Sequence, residues 1–116
     1  MTSIDPKVIA DLRALQAGGP PAFLAELIDL YLREAELQVA KIRASFDVQD
    51  APSLERAAHT LKGSSGNLGA RTLSALCAEL QAVARAADWT RAGELVPRVE
   101  REHATSSGEL RVEKAR

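Results

Sequence analysis

Leu54-Glu55-Arg56-Ala57-Ala58-His59-Thr60-Leu61-Lys62-Gly63-Ser64-Ser65-Gly66-Asn67-Leu68-Gly69-Ala70 is the stretch on which the fold turns. At about 100° per residue, Leu54, Ala57, Ala58, Leu61, Ser64, Ser65 and Leu68 gather on one side of a helix. Glu55, Arg56, His59, Lys62, Gly63 and Gly66 gather on the other. An apolar stripe of this kind has to be covered by other helices. The same reading points His59 away from the stripe, into water, halfway along a packed helix.

Residues three or four apart touch on a helix surface, so the neighbours of His59 are Glu55, Arg56, Lys62 and Gly63, with Gly66 one turn further on. Each mid-helix glycine costs about 1 kcal/mol relative to alanine. Gly63 and Gly66 on one polar face, beside one histidine, are a poor choice for stability. They make sense if side chains must be kept off the imidazole so that something large can approach it. Lys62 adds a cation one turn away. An exposed imidazole, a cleared approach and an adjacent cation suit a group that carries a phosphoryl. Arg56, and Arg85 further along, can add positive potential around it, and Gln81 is placed level with His59 across a groove.

His59-Thr60-Leu61-Lys62-Gly63-Ser64-Ser65, followed by Leu68-Gly69-Ala70, resembles the signature of histidine-containing phosphotransfer (HPt) domains, the helical intermediates of multistep phosphorelays. The likeness is dense around the histidine. It extends more loosely, through helix lengths and apolar spacing, over nearly all 116 residues. The resemblance implies phosphorylation of His59 at Nε2, with the other ring nitrogen held by a hydrogen bond. It implies a phosphoryl received from an aspartyl phosphate on one receiver domain and passed to another. The implied partners are response-regulator receivers and a hybrid histidine kinase. The chain is then a phosphocarrier and not an enzyme, without cofactor, and any Mg²⁺ belongs to the acidic site of the receiver.

Two other classes stay open at this point. One is the dimerisation and phosphoacceptor domain of a sensor kinase. That family usually follows its histidine with an acidic residue and then Leu-Arg-Thr-Pro, whereas Thr60 and Leu61 stand here. The other is a helical adaptor that binds receivers without chemistry.

Composition agrees with a helical protein. The chain is 46% hydrophobic but only 3% aromatic, and it is rich in the helix formers Ala, Leu, Glu and Arg. A formal net charge of -1 gives no general attraction to nucleic acid or acidic lipid. One cysteine, Cys77, excludes an internal disulfide and a multi-cysteine metal site, and its place in an apolar stripe predicts a buried thiol. No apolar run approaches the ~20 residues of a membrane span, since Glu26 and Asp29 interrupt the longest. No charged-then-apolar leader opens the chain. A cytoplasmic monomer is expected, and the initial Met with the compact length reads as a free protein.

Taken in order, Asp5-Pro6 caps and starts a short helix that Gly18-Gly19 ends, with Gly18 expected in the left-handed conformation. Pro20-Pro21 should start a long helix running to about Phe46. Asp50 caps the helix of His59, and Gly69 is placed as its left-handed terminus. Leu73, Leu76, Cys77, Leu80, Val83, Ala84 and Ala87 then give the cleanest helical periodicity in the chain, over about residues 70–87. Asp88 caps a fifth helix through Ala92, Leu95, Val96 and Val99. Pro97 is expected to kink it, and Ser106-Ser107-Gly108 to break it, so that the last ~10 residues fray. His103 reads as a partly buried or terminal-helix histidine. The expected whole is one all-α domain over residues 1–116: an antiparallel up-down four-helix bundle with a short additional N-terminal helix.

Overall fold

The computed structural model describes residues 3–20 and 22–116. Five helices account for nearly all of them: α1 (Pro6–Ala17), α2 (Phe23–Asp47), α3 (Ala51–Asn67), α4 (Arg71–Arg85) and α5 (Trp89–Ala115). Each of α2 to α5 packs on its neighbour in sequence, and α5 returns to α2, closing a four-helix ring. The connections are short, which forces antiparallel neighbours.

Three of these connections share one device. After α2, α3 and α4 the backbone N–H of Asp50, Ala70 and Asp88 reaches back five residues to the carbonyls of Ser45, Ser65 and Val83, each at 2.9 Å. The residue before each donor is left-handed: Gln49 at φ 53°, Gly69 at φ 80° and Ala87 at φ 52°. This is the Schellman termination, which satisfies carbonyls the helix leaves unpaired. The left-handed residue that ends α4 is thus Ala87, which leaves the apolar stripe and stands in solvent.

The aspartates cap as their spacing predicts. Asp5, Asp50 and Asp88 side chains accept from the backbone N–H of Lys7, Ser53 and Arg91. The start of α2 differs from expectation. The helix begins at Phe23, Pro20 lies outside it, and Pro21 falls outside the described residues. Ala22 has no side chain to cap with, so Gln16 of α1 supplies the acceptor, taking the Leu24 N–H at 2.8 Å. Gly18 also departs from expectation: its φ of -101° is not left-handed, and α1 ends in a tight turn, with the Gly18 N–H on the Leu15 carbonyl.

The largest correction concerns α5. It passes Pro97 without interruption and continues through Ser106, Ser107 and Gly108 to Ala115. The two serines and Leu110 are buried against the bundle, so small side chains here let the helix pack closely and do not break it. The terminal turns are also tied down. Glu109 accepts from the Ser3 and Ile4 backbone N–H groups, Arg13 reaches the Glu113 carboxylate at 2.9 Å, and Lys114 meets Asp29 at 2.7 Å. Tertiary contacts outweigh weak local propensity. The segment expected to fray is helical as far as Ala115.

The core is a column of Leu24, Ile28, Ile42, Leu54, Leu61, Leu73, Leu80 and Leu95, with Val96, Val99 and Leu110 beside it, all shielded from solvent. At one end Phe46 and Trp89 pack with ring centroids 6.3 Å apart, and Gly93 faces the Phe46 ring, where a Cβ would stand 3.4 Å from Cζ. Arg43 lies over Phe46 and grips Glu100 through Nη2 at 2.6 Å and Nε at 3.1 Å. That pairing holds the Glu100 carboxyl below its usual range. At the other end α1 lies across the α3–α4 turn, where the Asp5 N–H donates to the Gly69 carbonyl at 2.8 Å.

Candidate functional site

Helix α3 has two contrasting sides. Leu54, Ala57, Ala58, Leu61 and Ser65 are buried between α2 and α4, and Ser65 Oγ shares a 2.9 Å hydrogen bond with the Tyr31 hydroxyl of α2. Ser64, one residue away, is only half-buried and donates back to the carbonyls of Thr60 and Leu61. On the opposite side His59, Gly63 and Gly66 are exposed, and Lys62 is half-buried.

Both glycines stand on the exposed side of the helix. A Cβ on Gly63 would meet nothing within 4 Å. One on Gly66 would meet only Ser74 Oγ, at an ordinary contact distance of 3.5 Å. Neither glycine is wedged against a neighbouring helix. Side chains on a helix lean toward its N-terminus. This tendency directs the His59 side chain toward the turn of Glu55 and Arg56, and the Lys62 side chain toward that of His59. Ser74 fixes α4 against this part of α3 by donating its hydroxyl to the Lys62 carbonyl at 2.9 Å.

The remaining residues singled out in the sequence are placed less uniformly. Arg56 is exposed and donates to Ser53 Oγ at 3.3 Å. It lines a groove of about 500 Å³ between α2 and α3, with Lys41, Thr60 and Gln38. Arg85 of α4 crosses to α3 and binds Glu55, with Nη2 at 2.7 Å and Nε at 2.9 Å from Oε1. Gln81 lies half-buried one turn before Arg85. Among the described residues the side chains of His59, Lys62 and Gln81 make no hydrogen bond or ion pair, so no partner for the second ring nitrogen of His59 is present there. Sequence reasoning missed the Glu55–Arg85 pair and the Ser74 tether. Glu55 stands one turn from His59 in the sequence, but its partner comes from another helix and leaves no local trace.

Away from the site, Cys77 is buried, and burial pushes its thiol up to about 12. Burial lowers His103 below its ordinary 6.5, against an opposing pull from Glu36. Among the described residues no three His, Cys, Asp or Glu side chains gather as a metal site, and no helix is long and apolar enough to cross a membrane.

With this geometry in hand, comparison with known proteins is decisive. A family model described as the Hpt domain matches residues 26–109, which take in all of α3 and α4. The chain belongs to the Hpt domain family. This Hpt domain is 32% identical over 71 residues to histidine-containing phosphotransfer protein 5 of Arabidopsis thaliana, covering 59% of the chain and 45% of that relative. It thus spans less than half the length of the curated relative it matches. The crystal structure of histidine-containing phosphotransfer protein B from Pseudomonas aeruginosa matches it with a TM-score of 0.85 at 30% identity, over 97% of this chain and 94% of that one. A rice protein described as a histidine-containing phosphotransfer protein gives a TM-score of 0.84 at 18% identity, over 97% and 79% of the two chains, and shares the fold.

Proposed function

We propose that this Hpt domain is a phosphorelay intermediate that carries a phosphoryl group on Nε2 of His59. The Nε2 lone pair attacks the phosphorus of an aspartyl phosphate on a receiver domain. The acyl P–O bond breaks as the N–P bond forms, and the receiver recovers its carboxylate. The reverse step delivers the phosphoryl to the aspartate of a second receiver. The reaction asks the protein mainly for positioning and charge stabilisation. Lys62 offsets the negative charge of the transferred group, and Gly63 leaves room for the receiver to approach. Gly66, Arg56, Gln81 and Arg85 frame the site. Mg²⁺ belongs to the acidic site of the receiver, and a hybrid histidine kinase is the source of the phosphoryl. The domain acts in the cytoplasm as a monomer without kinase activity of its own.

The observation that carries this reading is an exposed imidazole midway along a packed helix, with open space at Gly63. The ring closed by α2 to α5 within one chain also argues against a phosphoacceptor domain that needs a second copy to complete its bundle. Leu27 and Leu30 of α2, with Leu68 beyond Ser64, line an apolar groove of about 600 Å³ that can serve as a docking rim. Incubation with a ³²P-labelled phosphorylated receiver tests the proposal. Label should appear on the wild type and not on His59→Gln; equal labelling of the two proteins overturns it.

A further inference from the structure

The contact between Glu55 and Arg85 is the one ion pair that spans α3 and α4 beside His59 among the described residues. Arg85 commits two of its donors, Nε and Nη2, to a single carboxylate oxygen. Glu55 is four residues before His59, so the two side chains are neighbours on the helix surface. The imidazole leans toward that same turn. Through Glu55, the Arg85 guanidinium is thus held at the helical turn that precedes His59. The Arg85 side chain is 68% exposed, which leaves the pair open to solvent and easily exchanged. A phosphoryl group offers more negative charge than a carboxylate and oxygens that match the guanidinium fork.

Resting on the relay reading above, we infer that Glu55 competes with the phosphoryl group on His59 for Arg85, and so sets how firmly the domain holds its phosphoryl. In the unphosphorylated state Glu55 keeps Arg85 beside the ring. On phosphorylation the guanidinium is shared with or drawn to the phosphoryl oxygens. Glu55 keeps that hold weak, as suits a carrier that must also give the group away. Glu55 is a positioning residue in this scheme and touches neither phosphorus nor receiver.

The test uses four proteins: wild type, Glu55→Gln, Arg85→Gln and the double variant. His59 is phosphorylated with phosphoramidate, which needs no receiver, and separately equilibrated with a labelled receiver. Arginine Nε–H resonances are followed throughout. The Arg85 resonance of the wild type should shift on phosphorylation. Glu55→Gln should raise the equilibrium share of phosphoryl on His59 by about two- to fivefold. In the Arg85→Gln background the same change should shrink toward no effect. An Arg85 resonance unmoved by phosphorylation overturns the competition, as does a Glu55→Gln effect that persists in full without Arg85. Label absent from wild-type His59 with both donors overturns the relay reading itself, and the competition with it.

Discussion

The Tyr31 hydroxyl meets Ser65 Oγ at 2.9 Å inside the bundle, on the buried side of the helix that exposes His59. This buried polar contact ties α2 to α3. Burial raises the Tyr31 phenol above its usual range, so it stays a neutral hydroxyl.

Removing both partners should cost less than the two single removals added together. Tyr31→Phe or Ser65→Ala alone leaves a buried hydroxyl unpaired, which costs about 1–3 kcal/mol. The double variant should lose less than the sum. Urea unfolding of the four proteins measures the coupling, and strict additivity would show that the contact contributes nothing.

Gly63 and Gly108 are both helical and both open, with nothing within 4 Å of an added Cβ. Gly63→Ala and Gly108→Ala should therefore each stabilise by about 0.5–1 kcal/mol. Their effects on function should part. Gly63→Ala should slow phosphoryl uptake from a receiver, because the new methyl stands one turn from His59. Gly108→Ala on α5 should leave uptake unchanged. Equal rates for both variants would remove the argument that Gly63 clears an approach.

The left-handed residues of the helix terminations should respond in opposite senses. A Cβ on Gly69 would stand 3.0 Å from Val8 Cβ and 3.3 Å from the Asp5 backbone, at a φ of 80°. Gly69→Ala should destabilise by at least about 1–2 kcal/mol from conformation alone. Ala87 already bears that strain at φ 52° and is exposed, so Ala87→Gly should stabilise by up to about 1 kcal/mol. Denaturant midpoints that move in the same direction for both variants would contradict this account.

His103 gives the protein a sensitivity to acid. Burial holds its folded value below the ordinary 6.5, while Glu36 raises it and Arg111 lowers it. The unfolded chain then binds the proton more readily than the folded one. The resulting stability is complete above about pH 6.5 and is lost as the pH falls through the folded value. Thermal unfolding at about pH 7.5 and 5.5 should show a smaller acid loss for His103→Gln than for the wild type. An identical loss in both would show that carboxylates alone set the acid response.

The sequence by itself determined the helical class, the aspartate caps and the exposed side of the His59 helix. All three are local: a cap acts within one turn, and an amphipathic stripe fixes which side of a helix faces water whatever it packs against. Gly69 was legible from its place at a helix end, whereas the same local rule failed at Gly18, which is not left-handed. The tertiary structure alone decided the rest. The tail after His103 looks weak residue by residue, yet Ser106, Ser107 and Leu110 are buried and Glu109, Glu113 and Lys114 are tied to residues far away in the chain. Gln16 caps a helix other than its own, and Arg85 spends its charge on Glu55. Contacts between helices join residues whose separation in sequence carries no periodic signal, so only the packed bundle reveals which polar groups meet.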